Sequence, residues 1–278
     1  FQYYFPLPYF LIAILSLLLP FNIAFRVVSI LGVFSLPVST FIFCRCIKLP
    51  RPIPLLSAAS TLPFLFVSSH TMWGVNVYST LAGMIANSIG FSFMLLFLGH
   101  IYEDAEDRSC RMRTILYGFS LVTSHFFTTV IASTIVIILP FIRRPTLIPQ
   151  AIITILKEGV IILLLSAWWL VPLIAKHEYS VDFGENWKIS LLKTFPVHFF
   201  YLAPFAFFAV FYCLYYRIHS IYIPLSIFLF SLCLYFFGFK LSPVFINIRL
   251  WPFLFFATII METWGIAIVL KLSKNKSL

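Results

Sequence analysis

Apolar residues in this chain come in long runs of helix length and not in the alternation of half-buried strands. Phe21 to Ile47, Leu81 to Ile101, Glu158 to Ala175, Phe195 to Tyr216, Ile221 to Phe239 and Trp251 to Leu270 are each close to the roughly twenty residues a helix needs to cross a bilayer. Shorter runs lie between them. Phe1 to Leu19 contains Pro6 and Pro8 and then an apolar stretch too short to span, which predicts an interfacial or re-entrant helix with Tyr3, Tyr4 and Tyr9 at headgroup level. Pro52 to Val67 is broken by Pro54 and Pro63 and reads as a short return crossing. The predicted fold class is all-α, a polytopic transmembrane helical bundle forming a single domain over residues 1–278.

Thr114 to Phe141 decides the topology. One straight helix of that length would extend roughly 42 Å, beyond the hydrocarbon core of about 30 Å. It would also put Arg143, Arg144 and Lys157 on the outer side. A hairpin turning near Ser124-His125 keeps them inside, with thirteen basic residues on the cytoplasmic side against five outside and Arg26 within its helix. Ser68 to Thr80, Lys176 to Lys193 and Lys240 to Ile248 then become outer segments, and the expected location is a cytoplasmic (inner) membrane crossed several times. Glu103 to Arg113, of mixed charge, is expected to be a solvated cytoplasmic turn.

Composition agrees. Hydrophobic residues make up 62% of the chain and charged residues 10%, far from the balance of a soluble domain. The net charge of +10 is explained by loops that face an anionic leaflet, so membrane lipids are expected partners and nucleic acid is not. Five cysteines suit free thiols and not a disulfide framework. Cys44 and Cys46 flank Arg45 without the spacing of a zinc motif and with no His nearby in sequence, so no metal and no cofactor is expected. No Walker motif, Gly-rich dinucleotide turn, His-Glu-x-x-His or Gly-x-Ser-x-Gly is present.

Several stretches carry a resemblance in sequence order. They are Tyr3-Tyr4-Phe5-Pro6-Leu7-Pro8-Tyr9, Leu36-Pro37, Gly74-Val75-Asn76 with Ser79-Thr80-Leu81-Ala82-Gly83, Ser124-His125, Ala167-Trp168-Trp169-Leu170-Val171-Pro172, and Arg249-Leu250-Trp251-Pro252-Phe253. Together they resemble the multispanning membrane proteins labelled 6-pyruvoyl-tetrahydropterin synthase-related, which look like a branch of the GT-C class of glycosyltransferases. Val75 stands where that family usually has glycine, and Met84 where it often has Glu. The resemblance implies a GT-C-like fold and transfer of sugar from a polyprenyl-phosphate carrier at the extracytoplasmic face. It also implies that the chain is a fragment lacking an N-terminal helix and first outer loop. A non-catalytic transporter, flippase or scaffold component for lipid-linked glycans is the alternative.

Such a transfer needs a carboxylate to deprotonate the acceptor hydroxyl and a cation to stabilise the departing phosphate. Glu178 and Asp182, close to Glu185, Tyr179, Gly184 and Trp187 in the Lys176 to Lys193 segment, are the candidate catalytic acids; a solvated loop would have the same composition. Arg249 is the candidate phosphate ligand, its planar fork suiting that group, with interfacial anchoring as the alternative. His70 and Asn76, in a loop with Gly74, and His125, among Thr123, Ser124, Thr128 and Thr129, complete the substrate-binding set; turn formation and helix packing would also account for them. Glu262 stands alone inside an apolar helix.

Overall fold

The computed structural model describes residues 4–68, 71–142, 148–176, 178, 187, 195 and 197–273. Among them there are helices and no strands. In chain order they are α1 (Leu7–Leu15), α2 (Phe21–Cys46), α3 (Ile53–Leu65), α4 (Val77–Leu81), α5 (Ile85–Asp107), α6 (Met112–Val122), α7 (Phe126–Ile142), α8 (Ile148–Ala175), α9 (Val197–Tyr215), α10 (Tyr222–Leu241) and α11 (Trp251–Ser273). Short 3₁₀ turns, His219–Ile221 and Asn247–Leu250, lead into α10 and α11. Five helical stretches are long and apolar enough to cross a membrane: α2, α5, α8, and α10 and α11 with their leading turns.

Helix α11 is apolar on every side and is accordingly the buried axis of the bundle, covered by α3, α9 and α10. Its aromatic side chains fill the centre: Trp251, Phe253, Phe255 and Phe256 are all fully buried. Helices α2 and α5 form the other tightly packed pair. Where no hydrophobic drive separates protein from lipid, small residues let helices approach. Gly32 meets the backbone of Ser88 and Ile89 so closely that a Cβ could not fit, and Ser92 Oγ donates to Gly32 O at 3.0 Å while Ser35 Oγ donates to Ser92 Oγ at 3.0 Å. Helix α8 instead turns Leu156, Leu163, Leu164 and Val171 outward, as a lipid-facing helix does.

The Thr114 to Phe141 run is broken at Thr123–His125 into α6 and α7, and the chain doubles back there. Glu158 of α8 accepts from the Arg111 N–H at 3.3 Å, at the start of α6. Trp169 of α8 packs on Phe5, whose ring also meets His125 at the other end of α6. Helix α8 therefore runs from the Arg111 end of the bundle to the His125 end, and Ile148 lies about 15 Å beyond Glu158, away from His125. Six Cα steps join Ile142 to Ile148 and reach at most about 21 Å. Helix α7, about 25 Å long, satisfies that limit only by returning toward the Arg111 end. Had it continued outward, the gap would be about 60 Å.

Several sequence expectations change. Helix α5 does not stop at Ile101 but continues to Asp107, so Glu103–Asp107 is its last turn and not a loop. Asp104 within it is fully buried, accepting from Thr114 Oγ1 at 2.6 Å and from Arg111 Nη1 at 2.8 Å. Glu103 pairs with Arg113, Glu106 with Lys48 and Asp107 with Arg111. The expected solvated turn is an ordered ion-pair lattice, because four acids at helical spacing meet bases carried by two neighbouring segments. Helix α8 begins ten residues before the expected Glu158, whereas α3, at thirteen residues, is the short segment expected. All five cysteines are free, as expected.

Candidate functional site

At the His125 end, a turn and two helix breaks bring polar groups together. The loop before α4 is held by Asn76, which caps α4 by accepting from the Ser79 N–H at 2.8 Å and donates from Nδ2 to Val67 O at 2.9 Å. Asn76 N–H also bonds Gly74 O at 2.9 Å, closing a γ-turn on Val75 with φ of 71°. Gly74 has φ of 103°, and a Cβ there would meet the Asn87 side chain at 2.5 Å. This geometry anchors Trp73, buried and stacked on Trp251 and Phe255 with ring centroids 5.7 and 4.9 Å away.

The Asn247–Leu250 turn presents Arg249 to the same loop. Its Nη1 donates to Met72 O at 3.0 Å and lies 2.8 Å from Met84 Sδ. Arg249 is half-buried, and among the described residues no carboxylate pairs with it. The turn is tied to the segment after α8: Asn247 Oδ1 accepts from the Trp187 N–H at 3.1 Å and its Nδ2 donates to Trp187 O at 2.8 Å.

His125 sits at the tip between α6 and α7. Gly90 of α5 makes room for it, since a Cβ there would come within 2.8 Å of the His125 Cβ. Its Nε2 is 3.2 Å from Asn87 Nδ2, while Nδ1 has no hydrogen-bond partner among the described residues. Where the Asn87 amide donates to Nε2, the neutral imidazole carries its proton on Nδ1, which meets no acceptor among the described residues. The positive charge of Arg249 acts on this ring, and the Tyr4 hydroxyl acts on Arg249.

Beside this cluster opens an apolar groove of about 670 Å³, lined by Tyr4, Tyr9, Phe10, Trp168, Trp169 and Pro172. Helix α1 forms its wall, held to the hairpin tip by the Leu7 N–H bond to Thr123 O at 3.1 Å. Phe5 bridges groove and cluster, its ring centroid 5.1 Å from Trp169 and 6.0 Å from His125.

A family model described as 6-pyruvoyl-tetrahydropterin synthase related domain, membrane protein, matches residues 1–277. The chain belongs to that family. Comparison with curated proteins and with solved structures finds no match. For this family member, the site residues expected from sequence divide into three groups. Asn76, His125 and Arg249 share one end of the bundle, and both ends of the Asn76 amide are occupied in holding the loop. Glu178 is exposed beyond the end of α8 and makes no described contact with the cluster. His70, Asp182 and Glu185 lie outside the described residues.

Asn87 was missed, and Met84, Phe5 and Trp169 were noted only as parts of the resemblance and not as site residues. An Asn three residues before Gly90 in an apolar helix is a usable signal, since a buried amide needs a partner. Glu262 is buried, with no partner for Oε1 among the described residues, on α11 next to Thr263, which bonds Ser57.

Proposed function

We propose that this membrane protein binds the phosphate of a polyprenyl-phosphate-linked sugar at the Arg249 end and serves as a GT-C-like glycosyltransferase core acting outside the cytoplasm. One observation carries the proposal: the Arg249 guanidinium, on which the Tyr4 hydroxyl of the aromatic-lined apolar groove acts, has no carboxylate partner among the described residues. A lipid phosphate offers both complements, an anion for the fork of Arg249 and an isoprenoid tail for the groove wall. The His125 Nδ1–H supplies a second donor. In the transfer step, a carboxylate from the 176–193 segment, Glu178 or Asp182, takes the proton of the acceptor hydroxyl. That oxygen bonds the anomeric carbon as the carbon–phosphate oxygen bond breaks, and Arg249 holds the departing lipid phosphate.

A second reading is a carrier that binds or moves the lipid-linked glycan without chemistry. Two experiments separate them. In the first, detergent-solubilised protein is titrated with a polyprenyl monophosphate. Arg249→Gln should weaken binding by about 10- to 100-fold, the value of a hydrogen bond to a charged group. Unchanged affinity removes Arg249 from the site and ends both readings. In the second, Glu178→Gln and Asp182→Asn are assayed for sugar transfer from a polyprenyl-phosphate donor. Binding without transfer in the unaltered protein supports the carrier.

A further inference from the structure

At the opposite end of the bundle, α2 and α5 bring three donor side chains to one point. Cys46 closes α2, and His100 and Glu103 lie on one face of α5, spaced three residues apart. Gly99 allows the approach, since a Cβ there would stand 3.0 Å from the Cys46 Cβ and 3.2 Å from the Phe43 Cα. His100 Nδ1 is 3.6 Å from Cys46 Sγ and 3.1 Å from Glu103 Oε2. All three donor atoms fall within 4.8 Å of one another, and among the described residues this is the one such group. Cys46 and His100 are buried, and Glu103 opens toward solvent with 30% of its side chain exposed.

A Cys-His-acid set can also act as a nucleophilic triad, but that needs thiol and carboxylate on opposite ring nitrogens. Here both face Nδ1. Protons can also link the group, with the Cys46 thiol and the Nδ1–H both on the Glu103 carboxylate, and one cation between the three donors would replace both. The spacings agree with such an ion. Tetrahedral zinc, with sulfur at about 2.3 Å and nitrogen or oxygen at about 2.0–2.1 Å, separates S from N by about 3.6 Å and N from O by about 3.3 Å. Tyr117 stacks on the imidazole with centroids 5.4 Å apart and fixes its plane. Arg113 Nη2 donates to the same Glu103 Oε2 at 2.8 Å and competes with a metal for it.

We propose that Cys46, His100 and Glu103 form a binding site for a divalent transition metal of the zinc type, with one coordination position open to solvent. The mixed sulfur, nitrogen and oxygen donors select zinc or its cobalt surrogate over magnesium or calcium, which take oxygen alone. The inference is independent of the Arg249 site.

The test is a titration of chelator-stripped, detergent-solubilised protein with Co²⁺, followed by its thiolate-to-cobalt charge-transfer absorption and by competition with Zn²⁺. One equivalent should bind with that absorption and with tetrahedral visible bands. Cys46→Ser should remove the charge-transfer band, which separates the site from the exposed Cys110 and Cys233. His100→Gln should cost more than the roughly 10- to 100-fold lost with an outer-shell partner. Arg113→Gln should tighten binding by releasing Glu103. Absence of the band in the unaltered protein, or its persistence in Cys46→Ser, overturns the proposal without depending on whether His100→Gln folds.

Discussion

The two ends of this bundle treat charge in opposite ways. At the Arg111 end every acid from Glu103 to Asp107 has a basic partner, and Asp104 is satisfied completely inside the protein. The Asp107 carboxylate beside Arg111 holds that guanidinium above its ordinary pKa. At the Arg249 end the cation leans on a carbonyl and a thioether, and His125 Nδ1 has no partner among the described residues. Buried polar groups in proteins are normally satisfied. The acids of the first end are thus paired with bases by folding, while among the described residues the cation of the second has no carboxylate partner.

The largest effect that would break this contrast is at Asp104. Asp104→Ala strands Thr114 and Arg111 and should lower stability by about 3 kcal/mol, measured by thermal or denaturant unfolding in detergent. Arg249→Gln should instead leave stability within about 1 kcal/mol while costing affinity for a lipid phosphate by about 10- to 100-fold. If it unfolds the protein as Asp104→Ala does, the two ends are alike and the contrast is lost. Met84→Glu sharpens the comparison, because a carboxylate placed on Arg249 would complete the second end from within. It should lower polyprenyl-phosphate affinity by about tenfold without loss of stability. The smallest effect is expected for Lys48→Ala, whose side chain is 60% exposed in its pair with Glu106. Melting should move by no more than about 0.5 kcal/mol, as for other exposed ion pairs.

Much of the bundle was legible because membranes constrain sequence severely. The length of apolar runs announced α2, α5, α8, α10 and α11, and the bias of Lys and Arg required a turn near Ser124-His125. That turn puts His125, Arg249 and the Asn76 loop at one end, where they are found. The Glu103–Asp107 stretch was misread because its charges look like a solvated loop, while a helix can hold them if bases converge from elsewhere. Neighbours across helices were not legible. A rotation of 100° per residue decides whether Asn87 faces His125 or lipid, and no local pattern records that angle.

Sequence alone determined that this chain is a helical membrane protein, which ends of its helices share a side, and which residue types are too polar to lie idle there. Tertiary structure decided which of them meet. Met84 reaches Arg249 across 165 positions and Cys46 reaches His100 across 54. Those meetings depend on close helix approaches at residues such as Gly32, Gly90 and Gly99. The physical reason is that crossing a bilayer is a property of one segment, written in its length and polarity, whereas a site is a property of the register between segments, and register is set by packing.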